Sequence, residues 1–114
     1  MHELSIAMSI LDIVSEYAAK EKAREVTEIE IELGSLSGVV CDSLVFALEV
    51  ATKNTISENA EIIVTEIKAK ARCRHCEKTF EPENLFSACP YCKNSGYELL
   101  TGRELRVKSL KIEN

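Results

Sequence analysis

Four of the five cysteines stand in two closely spaced pairs. Cys73 and Cys76 form one CxxC motif, Cys89 and Cys92 form a second, and twelve residues separate the pairs. Each CxxC turn can place two thiolates on one metal ion, and a hairpin of that length can bring the two turns together. The spacing therefore predicts a tetrahedral four-cysteine site in a zinc ribbon.

The residues around these pairs favour zinc with a structural role. Tetrahedral sulfur suits zinc or iron, but Glu77 and Lys93 follow the pairs where a rubredoxin-like iron knuckle would carry glycine. Four protein ligands leave no open position for water, as expected of a structural ion. His75 lies inside the first turn, where we expect it to support the site from outside or to face solvent.

The chain opens with Met1, His2 and Glu3, which could form a second metal site. Because His2 is bulky, the initiator Met1 is expected to remain in place. The α-amine, the backbone nitrogen of His2 and its imidazole could close fused chelate rings, with the Glu3 amide or carboxylate as a fourth donor. Such a nitrogen-rich set suits Ni(II) or Cu(II). A solvated His2, with Glu3 offsetting a helix dipole, is the simpler interpretation of these three residues taken alone.

Hydrophobic periodicity predicts the elements that must position both sites. Two amphipathic helices and three strands are expected. The first helix covers Leu4–Ala23 and the second runs from a cap at Asp42 or Ser43 to about Asn54, while the strands cover Val26–Leu33, Ala60–Ala71 and Leu105–Ile112. The first strand should bury one face and expose an acidic one, and a change of phase near Ser109 indicates a bulge in the last strand.

The segment from Arg72 to Gly102 differs in character from the rest of the chain. It holds four cysteines and both prolines but few aliphatic residues, so it needs a metal to fold. The last strand is expected to rejoin the first sheet. We therefore predict one domain built from residues 1–70 and 104–114, and an inserted zinc-ribbon domain covering residues 71–103. The fifth cysteine, Cys41, is expected to be a buried small side chain just before the second helix.

Composition argues against several functional classes. A net charge of -5, a pI near 5.1 and 5% aromatic residues disfavour nucleic-acid binding. No apolar run approaches the length of a membrane span. Cysteines in metal-ligand pairs are typical of a reducing, cytoplasmic compartment. With two histidines and no phosphate-binding GxxxxGK loop, the chain is not expected to be an enzyme.

The complete pattern resembles the hydrogenase maturation nickel chaperone family HypA/HybF. The similarity covers the terminal MHE, a long helix, the EIEIELG strand with its SLSGV loop, and the two CxxC pairs before a last strand. It implies an α+β fold with two helices packed on a small three-stranded mixed sheet and an inserted four-cysteine zinc ribbon. It also implies nickel at Met1, His2 and Glu3, with His2 as the principal ligand, and structural zinc at Cys73, Cys76, Cys89 and Cys92.

The resemblance further implies a function and partners. The protein would carry Ni(II) as cargo to the large subunit of a [NiFe] hydrogenase together with the GTPase HypB, and in some bacteria it would also serve urease through the urease accessory proteins. The alternative is a zinc-ribbon adaptor, for protein or nucleic acid, in which the terminal MHE is incidental. Edge strands or an exchanged last strand leave both a monomer and a homodimer open.

Overall fold

The computed structural model describes residues 2–114 and contains two helices and two small sheets. The helices are α1 (His2–Lys20) and α2 (Cys41–Ala51), and the strands are β1 (Glu25–Gly34), β2 (Glu61–Ile67), β3 (Lys70–Cys73), β4 (Thr79–Phe80), β5 (Tyr97–Thr101) and β6 (Leu105–Glu113). One sheet has the strand order β2-β1-β6 and the other β4-β3-β5. Within residues 2–114, neither helix is long and apolar enough to cross a membrane.

The chain divides into two compact units. The helical unit comprises the residues up to Glu32, Val39–Thr65 and Arg106–Asn114, and the ribbon unit comprises Leu33–Gly38 and Glu66–Leu105. The predicted α+β fold, with two helices, a three-stranded sheet and an inserted four-cysteine ribbon, is confirmed. The exact extents predicted for two separately folding domains stay a prediction.

Helix α1 supplies one side of the core of the helical unit. Ala7, Val14 and Ala18 lie on its buried face, which packs with α2 and the inner face of β1. The helix ends at Lys20, three residues before the predicted Ala23. The reason is a Schellman cap: Lys22 has a φ of 55°, and the N–H of Ala23 donates to the carbonyl of Ala18 at 2.9 Å.

Helix α2 begins earlier than the sequence predicted. Its N-cap residue is Val40, which makes no side-chain capping hydrogen bond, so the predicted cap at Asp42 or Ser43 is wrong. Asp42 instead lies in the first turn, where a carboxylate favours the positive end of the helix dipole. Cys41 is the first residue of the helix and is half-buried rather than buried. The helix ends at Ala51, before the predicted Asn54.

Strand β1 is the centre of the sheet in the helical unit. Ile29 and Ile31 are fully buried against the helices, as their alternation predicted, and Val26 is buried as well although it falls outside that alternation. The acidic face is less open to solvent than expected. Glu28, Glu30 and Glu32 are only 13–24% exposed, and they pair with Lys111, Lys108 and Arg106 of β6 at 3.5, 3.7 and 2.5 Å. These pairs run in opposite chain directions, so β1 and β6 are antiparallel.

Two further contacts define the other strands of this sheet. Thr65 of β2 donates to Glu30, and the N–H of Ser35 donates to the carbonyl of Ile67 at 2.9 Å, so β1 and β2 run parallel and the sheet is mixed. In β6 the inward phase changes between Val107 and Leu110, which are both half-buried. The change of phase is therefore confirmed, while the bulge near Ser109 stays a prediction.

The predicted strand from Ala60 to Ala71 is two strands in different sheets. β2 ends at Ile67 and β3 begins at Lys70. Between them Ala69 is buried, and its N–H donates to the Ser35 hydroxyl at 3.1 Å instead of continuing a strand ladder. Gly102 packs directly on Ala69, since a Cβ added to this glycine would lie 2.7 Å from the alanine Cα. β-Branched composition alone could not reveal this break.

Candidate metal centres

The ribbon unit has a core too small to hold it together by apolar burial alone. Strand β3 pairs antiparallel with β4 and with β5, and places Cys73 opposite Tyr97. The rings of Phe80 and Tyr97 meet edge to face with centroids 5.7 Å apart. Ala71, Cys73, Phe80 and Cys89 are the buried members of this cluster. Since two of these four are cysteines, the same side chains form the core and the candidate metal site.

The two CxxC turns have the same backbone geometry. In the first, the N–H of Glu77 donates to the carbonyl of Cys73 at 2.9 Å, and in the second the N–H of Lys93 donates to the carbonyl of Cys89 at 2.9 Å. Glu77 and Lys93 have φ values of 63° and 65°. They therefore occupy the left-handed conformation that glycine adopts most easily and that Glu and Lys adopt rarely.

The four sulfur atoms form a compact cluster. All lie within 4.8 Å of one another, with Cys73 3.5 Å from Cys92 and Cys76 3.6 Å from Cys89. Zinc–sulfur bonds of about 2.3 Å in a tetrahedron place neighbouring sulfurs about 3.8 Å apart. The arrangement therefore fits a tetrahedral ion with four thiolate ligands, as the spacing of the cysteines predicted.

The titration of the cysteines shows why the cluster needs a cation. The N–H groups of Cys76 and His75 donate to the sulfur of Cys73 at 3.4 Å and outweigh its burial, so the pKa of this thiol falls to about 6. For Cys92 the N–H of Asn94 favours the thiolate, but burial and the neighbouring thiols outweigh it and raise the pKa to about 12. Four thiolates at neutral pH thus require a positive ion between them.

Two of the cations near the cluster make contacts with residues outside it. Arg72 forms an ion pair with Glu98 at 2.6 Å. Lys78 lies over the ring of Tyr91, 4.8 Å from its centroid. His75 is exposed and contributes its backbone N–H to the site. Within the described chain, the candidate ligands of this centre are thus the four cysteines.

The second candidate centre lies at the start of α1. Met1 lies outside the described residues, while His2 is the first residue of the helix and Glu3 belongs to its first turn. Glu3 is half-buried and lines a groove in which Asp42, from the first turn of α2, is a second carboxylate. Sequence patterns indicated Asp42 only as a possible helix cap, because its position beside Glu3 depends on the packing of α1 against α2.

Fold and site together define a small α+β protein with a four-cysteine metal centre in a ribbon unit. A family model described as hydrogenase/urease nickel incorporation, metallochaperone, HypA matches residues 1–112. The chain belongs to this HypA family of nickel metallochaperones for hydrogenase maturation, which confirms the resemblance seen in the sequence.

Individual proteins agree with this assignment. The chain is 46% identical to the hydrogenase maturation factor HypA of Parabacteroides distasonis, with 99% of this chain and 98% of the relative covered. It is 42% identical to that of Geotalea daltonii, with 98% and 99% covered. A solution structure of the nickel metallochaperone HypA from Helicobacter pylori has a TM-score of 0.71 at 23% identity, covering 99% of this chain and 98% of that one, and so shares its fold.

Proposed function

We propose that this protein carries Ni(II) as cargo on Met1, His2 and Glu3 and delivers it to the large subunit of a [NiFe] hydrogenase in the cytoplasm. The GTPase HypB is the proposed partner in delivery, and urease and its accessory proteins are proposed as a second client. Membership of the HypA family supports nickel as the metal and hydrogenase maturation as the process.

One observation carries the nickel site: His2 and Glu3 are the first two residues of α1. The first four N–H groups of a helix have no acceptor within it. The backbone nitrogens of His2 and Glu3 can therefore lose their protons and bind nickel without breaking a helical hydrogen bond. The same coordination in the middle of a helix would break two helical hydrogen bonds.

The donor set also suits a cargo ion. The α-amine, backbone nitrogens and the imidazole of His2 form the tetragonal, nitrogen-rich environment that Ni(II) favours. The Glu3 carboxylate adds a negative donor close by. Because these ligands come from three consecutive residues, an acceptor can approach the ion without unfolding the core. Such a site suits transfer better than a buried one does.

We propose that the cysteine centre holds zinc permanently. Cys73, Cys76, Cys89 and Cys92 would fill all four positions of a tetrahedral ion, which leaves none for a substrate. In this proposal zinc folds the segment 71–103 into a domain of its own, and residues 1–70 with 104–114 carry the nickel. The ribbon then has no catalytic step to perform.

The test is a nickel titration of the untagged protein beside the same protein with one residue added before Met1. The addition preserves every side chain but removes the α-amine from the chelate. The native protein should bind one nickel ion with a tetragonal d–d absorption band, and the extended protein should not. Equal binding by both would place nickel elsewhere. If the native protein also fails to bind nickel, the adaptor alternative becomes the better account.

A further inference from the structure

An apolar groove in the helical unit lies between α1 and α2, beside the start of α1. This groove has a volume of about 470 Å³ and is lined by Glu3, Leu4, Asp42, Ser43, Phe46, Ala47 and Val50. Leu4, Phe46 and Val50 are 44%, 69% and 48% exposed, although each is a large hydrophobic side chain. An exposed apolar cluster of this kind is more often part of a binding site than the rest of a protein surface is.

The exposed side chains follow the helical repeat. Leu4 and Met8 lie one turn apart on α1, and Phe46 and Val50 lie one turn apart on α2. Residues spaced by four positions occupy the same face of a helix. Each helix therefore carries an exposed apolar stripe besides the one it buries in the core, and the α2 stripe meets Leu4 in the groove. A third helix lying between them would cover both stripes.

The charges that line the groove indicate what kind of partner it binds. The groove is lined by the carboxylates of Glu3 and Asp42, and none of the described residues that line it is basic. A second copy of this chain is disfavoured, because face-to-face pairing would bring four carboxylates together in a protein of net charge -5. A helix with Lys or Arg at one end of its apolar face would instead complement the groove.

We propose that the groove docks an amphipathic helix of the protein that exchanges nickel with this chain, apolar toward Phe46 and basic toward Glu3 and Asp42. This inference rests on the proposed function, since it places the partner next to the nickel-binding residues. Phe46 is the expected anchor, because large aromatic side chains at the centre of a groove contribute most of the binding energy in such interfaces. Docking and metal transfer would then take place at the same end of the helical unit.

The test measures binding of full-length protein to two purified probes, the GTPase HypB and the precursor of the hydrogenase large subunit. Phe46→Ser should weaken binding to at least one probe by about 30-fold, as for an interface hot spot. Ile13→Ser is the matched control, because Ile13 is 57% exposed on α1 but does not line the groove. Its binding should stay within about twofold of the native value, as for an ordinary surface change.

A photo-crosslinking residue, p-benzoylphenylalanine, at position 46 then identifies the occupant. The crosslinked segment should be an amphipathic helix with a basic end. Equal binding by both variants, no binding of either probe, or a crosslink to a second copy of this chain would overturn the inference. Nickel affinity of Phe46→Ser, measured in parallel, should be unchanged. If docking fails while nickel still binds, only the docking inference is wrong and the proposed function stands. If the native protein does not bind nickel, the proposed function itself is wrong.

Discussion

The two candidate metal centres differ in how much of the protein builds them. The cysteine centre draws its ligands from two turns thirteen or more residues apart, and two of the four sulfur-bearing residues are fully buried in the core of the ribbon unit. The proposed nickel centre uses three consecutive residues at the beginning of one helix. In the proposed account, the zinc ion on which the ribbon depends is held permanently, whereas the nickel ion, bound by three consecutive residues, can leave without structural cost.

The largest effect is expected from Cys76→Ser. Losing one thiolate should release zinc, and because the ribbon core consists of few other buried side chains, residues 70–101 should lose their ordered structure. Zinc content by mass spectrometry and amide exchange of these residues measure the change. Cys41→Ser, which alters a cysteine outside the cluster, should keep its zinc. An ordered ribbon without metal in Cys76→Ser would show that zinc does not stabilise it.

His2→Ala should weaken metal binding at the proposed nickel centre and leave the cysteine centre unchanged. Removing a direct ligand is expected to weaken nickel binding by more than about 100-fold, beyond the usual effect of losing an outer partner of a ligand. Zinc content and the thermal transition should not change. His75→Ala is the matched control, since it removes the one other histidine and should leave nickel affinity as it is. Stoichiometric nickel in His2→Ala would refute the assigned ligand.

Gly34→Ala should destabilise the ribbon unit without weakening nickel binding. A Cβ at this position would lie 2.2 Å from the backbone carbonyl carbon of Gly102, and backbone cannot yield as a side chain can. We expect a loss of about 3 kcal/mol in the free energy of unfolding, as for severe overpacking. Gly96→Ala is the control, because its added Cβ would meet only the Asn94 side chain, at 3.4 Å. If the two variants unfolded at the same denaturant concentration, the close contact between Gly34 and Gly102 would be contradicted.

Lowering the pH should release the two metals one after the other, over a range of pH values. Both sites need deprotonated ligands, so both affinities fall as pH falls. The nickel chelate should fail first, because it competes with protons for an amine, an imidazole and backbone nitrogens. The thiol of Cys73 has a pKa of about 6 even without metal, and a bound cation keeps all four thiolates deprotonated to lower pH. Metal content is measured as the pH is lowered. Release of zinc at a higher pH than nickel would contradict this expectation.

Sequence patterns predicted the parts of this protein that depend on local residue types. The spacing of the four cysteines indicated the cluster, and the apolar pattern around Ser109 indicated the change of inward phase in β6. The break at Ala69 was missed, because it depends on Ser35 and Gly102, which are distant in sequence. Long-range contacts of this kind leave no periodic pattern for a sequence analysis to detect.

Charge and capping were also misjudged for physical reasons. The glutamates of β1 alternate as a solvated face does, but their neighbours on β6 are cations that cover them. The start of α2 was assigned to the best capping side chain, whereas Val40 holds that position without a side-chain hydrogen bond. Pairing with β6 thus decided the exposure of these glutamates. The groove beside Glu3 depends on the packing of α1 against α2 and could not be predicted from either helix alone.

The central claim is that nickel is exchangeable cargo and zinc is part of the fold. The most direct measurement loads the native protein with both metals, adds EDTA, and follows the bound nickel and zinc by mass spectrometry over time. The account predicts that nickel leaves first and completely while zinc remains and the ribbon stays folded. Simultaneous release, or loss of zinc before nickel, would contradict the distinction between the two centres.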